Sequence, residues 1–414
     1  MKTDKLCYWL MSAAFFSFFL TWSFSFSLFS IWLDQVVGLT GEKIGVVFGV
    51  NSLVALFVML FYGFMQDKLG LKKHLLYVIG LALICMGPFF IYVYGPLLNN
   101  YFYTVTILGA FIFAVAFGAG IGVLETYVER AGRTVGFEFG KARMWGSLGW
   151  ALATFFSGAL LNLNPEYNFW LSSVCGFVFF TIICLVQIST KNNGKALSQQ
   201  RCSPPNFKEI ITLFLQPVFW KLVFFVMGVS CIYMVYDQQF PIYFSSLFST
   251  KAEGNLVYGY LNSFQVFLEA GGMFLAPFLV NKIGAKNGLI LSGVLMAVRM
   301  IGSGYAEGYI FISLMKLLHA IELPILIVAL FKYIASNFDP RLSSTIYLVG
   351  FLVFTQLGAS LISGSVGILY DTIGFSASYK LLGSIVIICT FISYFLLSNT
   401  QKSLACNSGK PSLE

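Results

Sequence analysis

Charge is what this chain has least of. Across its 414 residues, Asp, Glu, Lys and Arg together make up 10%, against 58% apolar residues and a mean hydropathy of +0.83. Soluble proteins carry roughly 25% charged residues, so no single water-facing surface can enclose this chain, and lipid must be the solvent for much of it. Polar interruptions are scarce as well. Apolar runs of about 20 residues recur along the whole length, each long enough to cross roughly 30 Å of hydrocarbon. A bilayer offers backbone groups no partners, so spans are helices or closed barrels. The short alternating segments of a barrel are missing, and the expected class is an all-α membrane protein.

Other absences narrow the chemistry. The chain has no glycine-rich nucleotide loop, no cluster with metal-ligand spacing and no Ser/His/Asp arrangement. An enzyme is not expected, nor a metal or other cofactor. The eight cysteines (Cys7, Cys85, Cys175, Cys184, Cys202, Cys231, Cys389, Cys406) show no paired spacing. Most lie inside apolar runs, where cysteine acts as a small hydrophobe rather than a disulfide partner. Lys2 and Lys5 ahead of Cys7–Leu33 imitate a secretory signal. That run is too long for one, and no small-residue cleavage site follows, so it reads as a retained first span.

Twelve spans are expected, near Cys7–Leu33, Ile44–Met65, His74–Tyr94, Phe102–Val128, Ala142–Leu161, Phe169–Ile188, Phe219–Phe244, Leu256–Val280, Leu289–Tyr305, Ile310–Ile334, Ser343–Leu369 and Tyr379–Leu397. The polar stretch 189–215, with Pro204 and Pro205, reads as a linker between six-helix bundles at 1–188 and 216–398, and 399–414 as a tail. With the N-terminus in the cytoplasm, eighteen Lys and Arg fall in cytoplasmic segments and three (Lys43, Lys251, Lys380) in external loops. Basic residues stay inside, so both termini are expected there, and the net charge of +8 is a topology signal rather than a nucleic-acid site. Lys68, Gly70 and Lys72 recur as Lys282, Gly284 and Lys286, at an offset of 214. Such internal repeats place a transporter's substrate site near the midplane, between the halves.

Ionisable groups within spans are functional candidates because each needs a partner or water. Lys316, His319 and Glu322 follow one another at spacings of three and share one helix face, a pattern suited to a proton relay. Asp237 is a candidate to neutralise Lys316. Glu125 and Arg143 lie on consecutive spans, with Trp150 two turns beyond Arg143. An acid, a guanidinium and an aromatic plate suit a sugar, whose hydroxyls both donate and accept while its apolar face packs on a ring. Glu269 and Arg299 complete the set, and Arg299 can pair with either Glu322 or Glu269. For each group the structural alternative is an ion pair that only holds helices together.

These residues carry a resemblance. The stretches Asp67-Lys68-Leu69-Gly70-Leu71-Lys72-Lys73, Phe137-Glu138-Phe139-Gly140-Lys141-Ala142-Arg143, Asp237-Gln238-Gln239-Phe240 and Lys316-Leu317-Leu318-His319-Ala320-Ile321-Glu322 are similar to the oligosaccharide:proton symporters of the major facilitator superfamily, the family of lactose and sucrose permeases. The resemblance covers nearly all of the chain except the linker and tails. It implies two pseudo-symmetric six-helix bundles in a bacterial inner membrane, a proton and a disaccharide as cargo, and a monomer sufficient to build the cavity. It implies sugar contacts from Glu125, Arg143 and Trp150, with His319 and Tyr233 linked to sugar and proton coupling. Glu322 would take up the proton, Arg299 promote its release, and Asp237 with Lys316 form an interhelical charge pair.

Departures bear on the substrate. A second acid–Lys pair of lactose permease is replaced by Met234 and Thr355, and losing both avoids a lone buried charge. The acid that recognises galactosides aligns with Val266, while Glu269 stands one turn on. The segments Tyr260-Leu261-Asn262-Ser263-Phe264-Gln265-Val266 and Phe338-Asp339-Pro340-Arg341-Leu342-Ser343-Ser344 resemble the sucrose branch, whereas Glu125 and Trp150 follow the lactose side. The expectation is proton-coupled import by alternating access, of sucrose in preference to a galactoside. An uncoupled sugar facilitator or sensor is the alternative on the same fold, and an enzyme acting on lipid-linked substrate the remoter one.

Overall fold

The structure, a computed structural model, describes residues 2–69, 71–186, 212–339 and 342–398. Most of the expected linker, Gly70 of the repeated loop and the expected tail 399–414 lie outside the described residues. Membrane-length helices follow one another as α1 (Lys5–Gln35), α2 (Gly41–Gln66), α3 (His74–Ile84 with Met86–Leu98), α4 (Phe102–Val135), α5 (Phe139–Leu163) and α6 (Glu166–Leu185). The second set begins with α7 (Pro217–Ser246), α8 (Lys251–Ile283), α9 (Ala285–Gly304) and α10 (Tyr309–Asn337). The final stretch, Tyr347–Leu396, is 50 residues long. At 1.5 Å per residue it would reach about 75 Å, more than twice the hydrocarbon thickness. Gly374, at φ 78° and ψ 166°, breaks it into α11 (347–373) and α12 (375–396). Only glycine takes this conformation without strain. With that division the expected twelve spans are present.

Several helices are distorted, α3 and α7 among them. The α3 halves meet at 50°, where Pro88 removes a backbone donor and the Gly87 N–H is taken by Ser173 Oγ at 2.7 Å. A π turn at Val226–Cys231 in α7 resets the register just ahead of Tyr233 and Asp237, and such turns recur at functional sites. Large apolar side chains such as Phe274, Phe278, Leu361 and Phe395 are exposed along the outer surfaces, as lipid-facing residues must be.

The first six helices pack as one bundle, with α1 against α5 and α6 and α2 against α4. In the second bundle, α10 packs on α8 and α9. The bundles meet through α2 with α11 and α5 with α8. These contacts are closest at one end of the molecule. A Cβ on Gly45 would stand 2.2 Å from the Ser363 carbonyl oxygen, and one on Gly158 the same distance from that of Asn255. Small residues permit such backbone approach. Polar contacts reinforce it: Asp371 accepts from the Gly41 N–H (2.9 Å) and the Glu42 N–H (2.8 Å) at the start of α2. Asn255 donates to Gln35 and to Asn162, at 2.9 and 3.1 Å. Further along the same helices, Gly63, Gly140 and Gly271 meet nothing within 4 Å. The bundles press together at one end, and a cavity of about 580 Å³ lies between them.

Candidate functional site

The wall contributed by the first bundle is aromatic with one cation. Arg143 Nε donates to Glu125 Oε1 at 2.7 Å, joining α4 to α5. The guanidinium lies over the Phe19 ring, 4.4 Å from its centre, leaving its remaining N–H groups for a ligand. Arg143 and Trp150 line the cavity, whereas Glu125 supports Arg143 from behind. Trp150 is fixed by Trp22, whose ring meets it edge-on at 5.5 Å and itself stacks on Phe117 at 5.7 Å. Of the acid, guanidinium and aromatic plate expected from the spacing, the guanidinium and the plate line one wall, and the acid holds the guanidinium.

The opposite wall holds a denser network. Arg299 and Glu322 are fully buried behind it, with Arg299 Nη1 donating to Glu322 Oε1 at 2.6 Å. Arg299 Nη2 donates to Asp237 Oδ1 at 2.5 Å. The guanidinium also packs over Tyr236 and Tyr233, at 5.0 and 5.3 Å from the ring centres. His319 Nδ1 lies 3.3 Å from Glu322 Oε1 and 3.2 Å from Arg299 Nη1, and Tyr233 Oη hydrogen-bonds the same imidazole. Glu269 Oε2 accepts from Gln265 Nε2 at 3.4 Å and stands 3.9 Å from His319 Nε2. Cavity, His319, Glu322 and Arg299 thus form a continuous chain of ionisable groups from the wall inward. A proton has a short path along it.

Of the two partners left open for Arg299, Glu322 is the one taken, and Asp237 joins it as a second. One expectation changes. The expected Asp237–Lys316 contact is not formed: no described carboxylate oxygen lies within 4.0 Å of Lys316 Nζ, which sits over Phe240 and Tyr258 at 5.4 and 5.7 Å. The reason is geometric. A planar guanidinium reaches two carboxylates at once, which an ammonium on a flexible stem does less well. Tyr233, Asp237, Glu269, Lys316 and His319 all line the cavity. So do Trp22, Asn51, Gln238, Gln265 and Gln356, uncharged residues that the charge-based reading passed over. Among the described residues no group of His, Cys, Asp and Glu has the arrangement of a metal site.

The profile of the LacY proton/sugar symporter family matches residues 1–408. The chain is 40% identical to the sucrose permease of Escherichia coli over 398 residues, covering 96% of this chain and 95% of that one. It is also 40% identical to the lactose permease of Citrobacter freundii over 375 residues, 90% of each chain. Among solved structures, the crystal structure of the nucleoside transporter NupG superposes with a TM-score of 0.79, covering 95% of this chain and 100% of that one. At 12% identity that likeness is one of fold, that of a major facilitator. A membrane-spanning helical chain with two facing bundles, a polar cavity between them and a profile match along nearly its whole length belongs to the LacY proton/sugar symporter family; it is a transporter, not an enzyme.

Proposed function

We propose that the protein imports a disaccharide together with a proton across the bacterial inner membrane, with sucrose as its preferred cargo. The observation that carries this reading is one cavity with Arg143 and Trp150 on one wall and His319, backed by Arg299 and Glu322, on the other. Arg143, Trp150, Glu269, His319 and Tyr233 would meet the sugar, Glu125 would hold the Arg143 guanidinium in place, and Glu322 with Arg299 and His319 would move the proton. One chain suffices, because both walls come from it. The preference for sucrose rests on the Glu269 placement beside Gln265 and His319, and on the α8 segment around Asn262. Glu125 and Trp150 favour a galactoside instead, and equal identity to a sucrose and a lactose permease leaves the choice to experiment.

With basic segments inside and both termini cytoplasmic, the closed end faces outward and the cavity inward. Arg299 and Glu322 are in direct hydrogen-bond contact, an arrangement suited to the stage after sugar and proton have left. Alternating access then requires the Gly45 and Gly158 contacts to part. Overpacking such a contact costs about 1–3 kcal/mol, so Gly45→Val or Gly158→Val should favour the outward-open state by roughly tenfold or more. The readout is labelling of a Ser30→Cys reporter, on the cavity wall, by a membrane-impermeant maleimide applied outside. An unchanged rate at that residue would show that these glycines do not hold the gate.

The function itself is tested by pulsing sucrose, lactose, melibiose or raffinose into a lightly buffered, de-energised suspension of cells expressing the protein. External alkalinisation with sucrose is the expected result. Alkalinisation with galactosides alone would transfer the substrate to that class, and labelled sugar entering without any pH change would make the protein a facilitator.

A further inference from the structure

The start of α2 is held by the opposite bundle. The Thr40 carbonyl accepts from the Ile44 N–H at 3.0 Å, which makes Thr40 the N-cap. The N–H groups of Gly41, Glu42 and Lys43 then have no acceptor within the helix. Thr40 Oγ1 accepts from the Lys43 N–H at 3.4 Å. The other two go to Asp371 of α11: Oδ1 accepts from the Gly41 N–H at 2.9 Å and Oδ2 from the Glu42 N–H at 2.8 Å. One carboxylate of the second bundle therefore supplies two of the three caps for a helix of the first.

The contact serves α2 and the seam, not α11. Asp371 lies in the last turn of α11, where a negative charge opposes that helix's own dipole; at the start of α2 the same charge is favourable. Gln239 of α7, itself buried, grips the same residue from another side, its Nε2 donating to the Gly41 carbonyl at 2.8 Å. Glycine lets the backbones meet: a Cβ on Gly367 would stand 2.2 Å from the Gly41 carbonyl oxygen. The ion pair that also crosses the seam at this end is of a different kind. Lys251 and Asp34 stand 3.5 Å apart with the lysine side chain 66% exposed, and pairs so exposed contribute little. Asp371 is exposed as well, but its partners are backbone donors already fixed in place, and caps keep their worth at helix ends that face water.

We infer that Asp371 is the latch of the outward gate, a helix cap supplied across the seam, with Gln239 as the second half of the socket that receives α2. The inference rests on the reading of the protein as an alternating-access carrier whose closed end faces outward, and adds to it a residue that sets how often this end opens. When the bundles part, the Gly41 and Glu42 N–H groups lose their acceptor and turn to water, so every opening gives up the cap. Closure is thereby tied to a helix terminus and not to packing alone. Neither Asp371 nor Gln239 lines the cavity. They are positioning residues, acting on the arrangement of the bundles and not on the cargo.

The test is labelling of the Ser30→Cys reporter by a membrane-impermeant maleimide, read by peptide mass, in right-side-out and inside-out membrane vesicles. The rate from outside follows the fraction of protein that is open outward. Asp371→Ala should raise it by about fivefold or more, and Asp371→Asn by less, because one acceptor oxygen remains. Gln239→Met deletes the second contact at nearly constant side-chain length and should act in the same direction. The rate from the cytoplasmic side should not rise in any of the three, which separates opening of the gate from loss of packing. An unchanged outside rate with Asp371→Ala, or rates that rise from both sides in every variant, would overturn the latch. The measurement needs no sugar. Failure of the parent protein to take up any of sucrose, lactose, melibiose and raffinose, read in a separate uptake assay, would overturn the carrier reading instead.

Discussion

Glu322→Gln should yield a carrier that still exchanges sugar across the membrane but no longer concentrates it. Glu322 is fully buried, and its one hydrogen-bonded oxygen faces Arg299. Glutamine keeps the shape and hydrogen-bonding span of the protonated acid and has no proton to give up. The sugar-loaded carrier can therefore reorient in both directions, whereas the empty carrier never reaches the ionised state that Arg299 stabilises. One charge moving through 100 mV is worth ~2.3 kcal/mol, a driving force for a roughly 50-fold sugar gradient. In energised cells that gradient should collapse to the external concentration, while counterflow between preloaded and external labelled sugar persists. Accumulation against a gradient by the variant would remove Glu322 from the coupling path. Loss of counterflow as well would assign it to sugar binding rather than to the proton. Arg299→Ala is a poorer probe, because it leaves Glu322 as a fully buried carboxylate without its guanidinium partner, a change that destabilises strongly.

The spans were legible because lipid imposes a length and a composition on each of them, and even the α11–α12 turn is marked by Gly374. The charged candidates were legible for the same reason: a charge in a membrane helix stands out against its neighbours. Spacing along one helix carried the His319–Glu322 contact, which the structure retains at 3.3 Å. Partners on different helices were another matter. Nothing in the chain specifies how α7, α9 and α10 are rotated against each other, so Asp237 was matched to Lys316 when Arg299 lies between the two carboxylates. Trp22 and Phe19 went unseen in a chain with 45 phenylalanines and 7 tryptophans, where an aromatic residue is the default rather than a signal. The cavity amides went unseen because Asn and Gln are tolerated in helices that pack on one another. Asn51 differs from a packing amide only in lacking a partner, a property of the assembled fold.

Arg143→Lys is the second large effect, and it separates charge from geometry. The Arg143 guanidinium directs Nε to Glu125 and holds its other N–H groups in a rigid fork over Phe19. Lysine keeps the charge but offers a point donor on a flexible stem, so it can satisfy Glu125 or a sugar hydroxyl, not both in fixed geometry. Loss of two charge-assisted hydrogen bonds, each worth about 1.5–3 kcal/mol, should weaken sugar binding by roughly 100-fold or more. The apparent Kd from titration and the KM for uptake should rise together. Thermal stability should change little, because both partners are about one-third exposed, at 31% and 37%, and pairs at such exposure contribute little to folding. A parallel fall in Tm would mean that the pair mainly holds α4 to α5. An unchanged Kd would mean that charge alone is required there, and that recognition of the ring lies with Trp150 and the opposite wall.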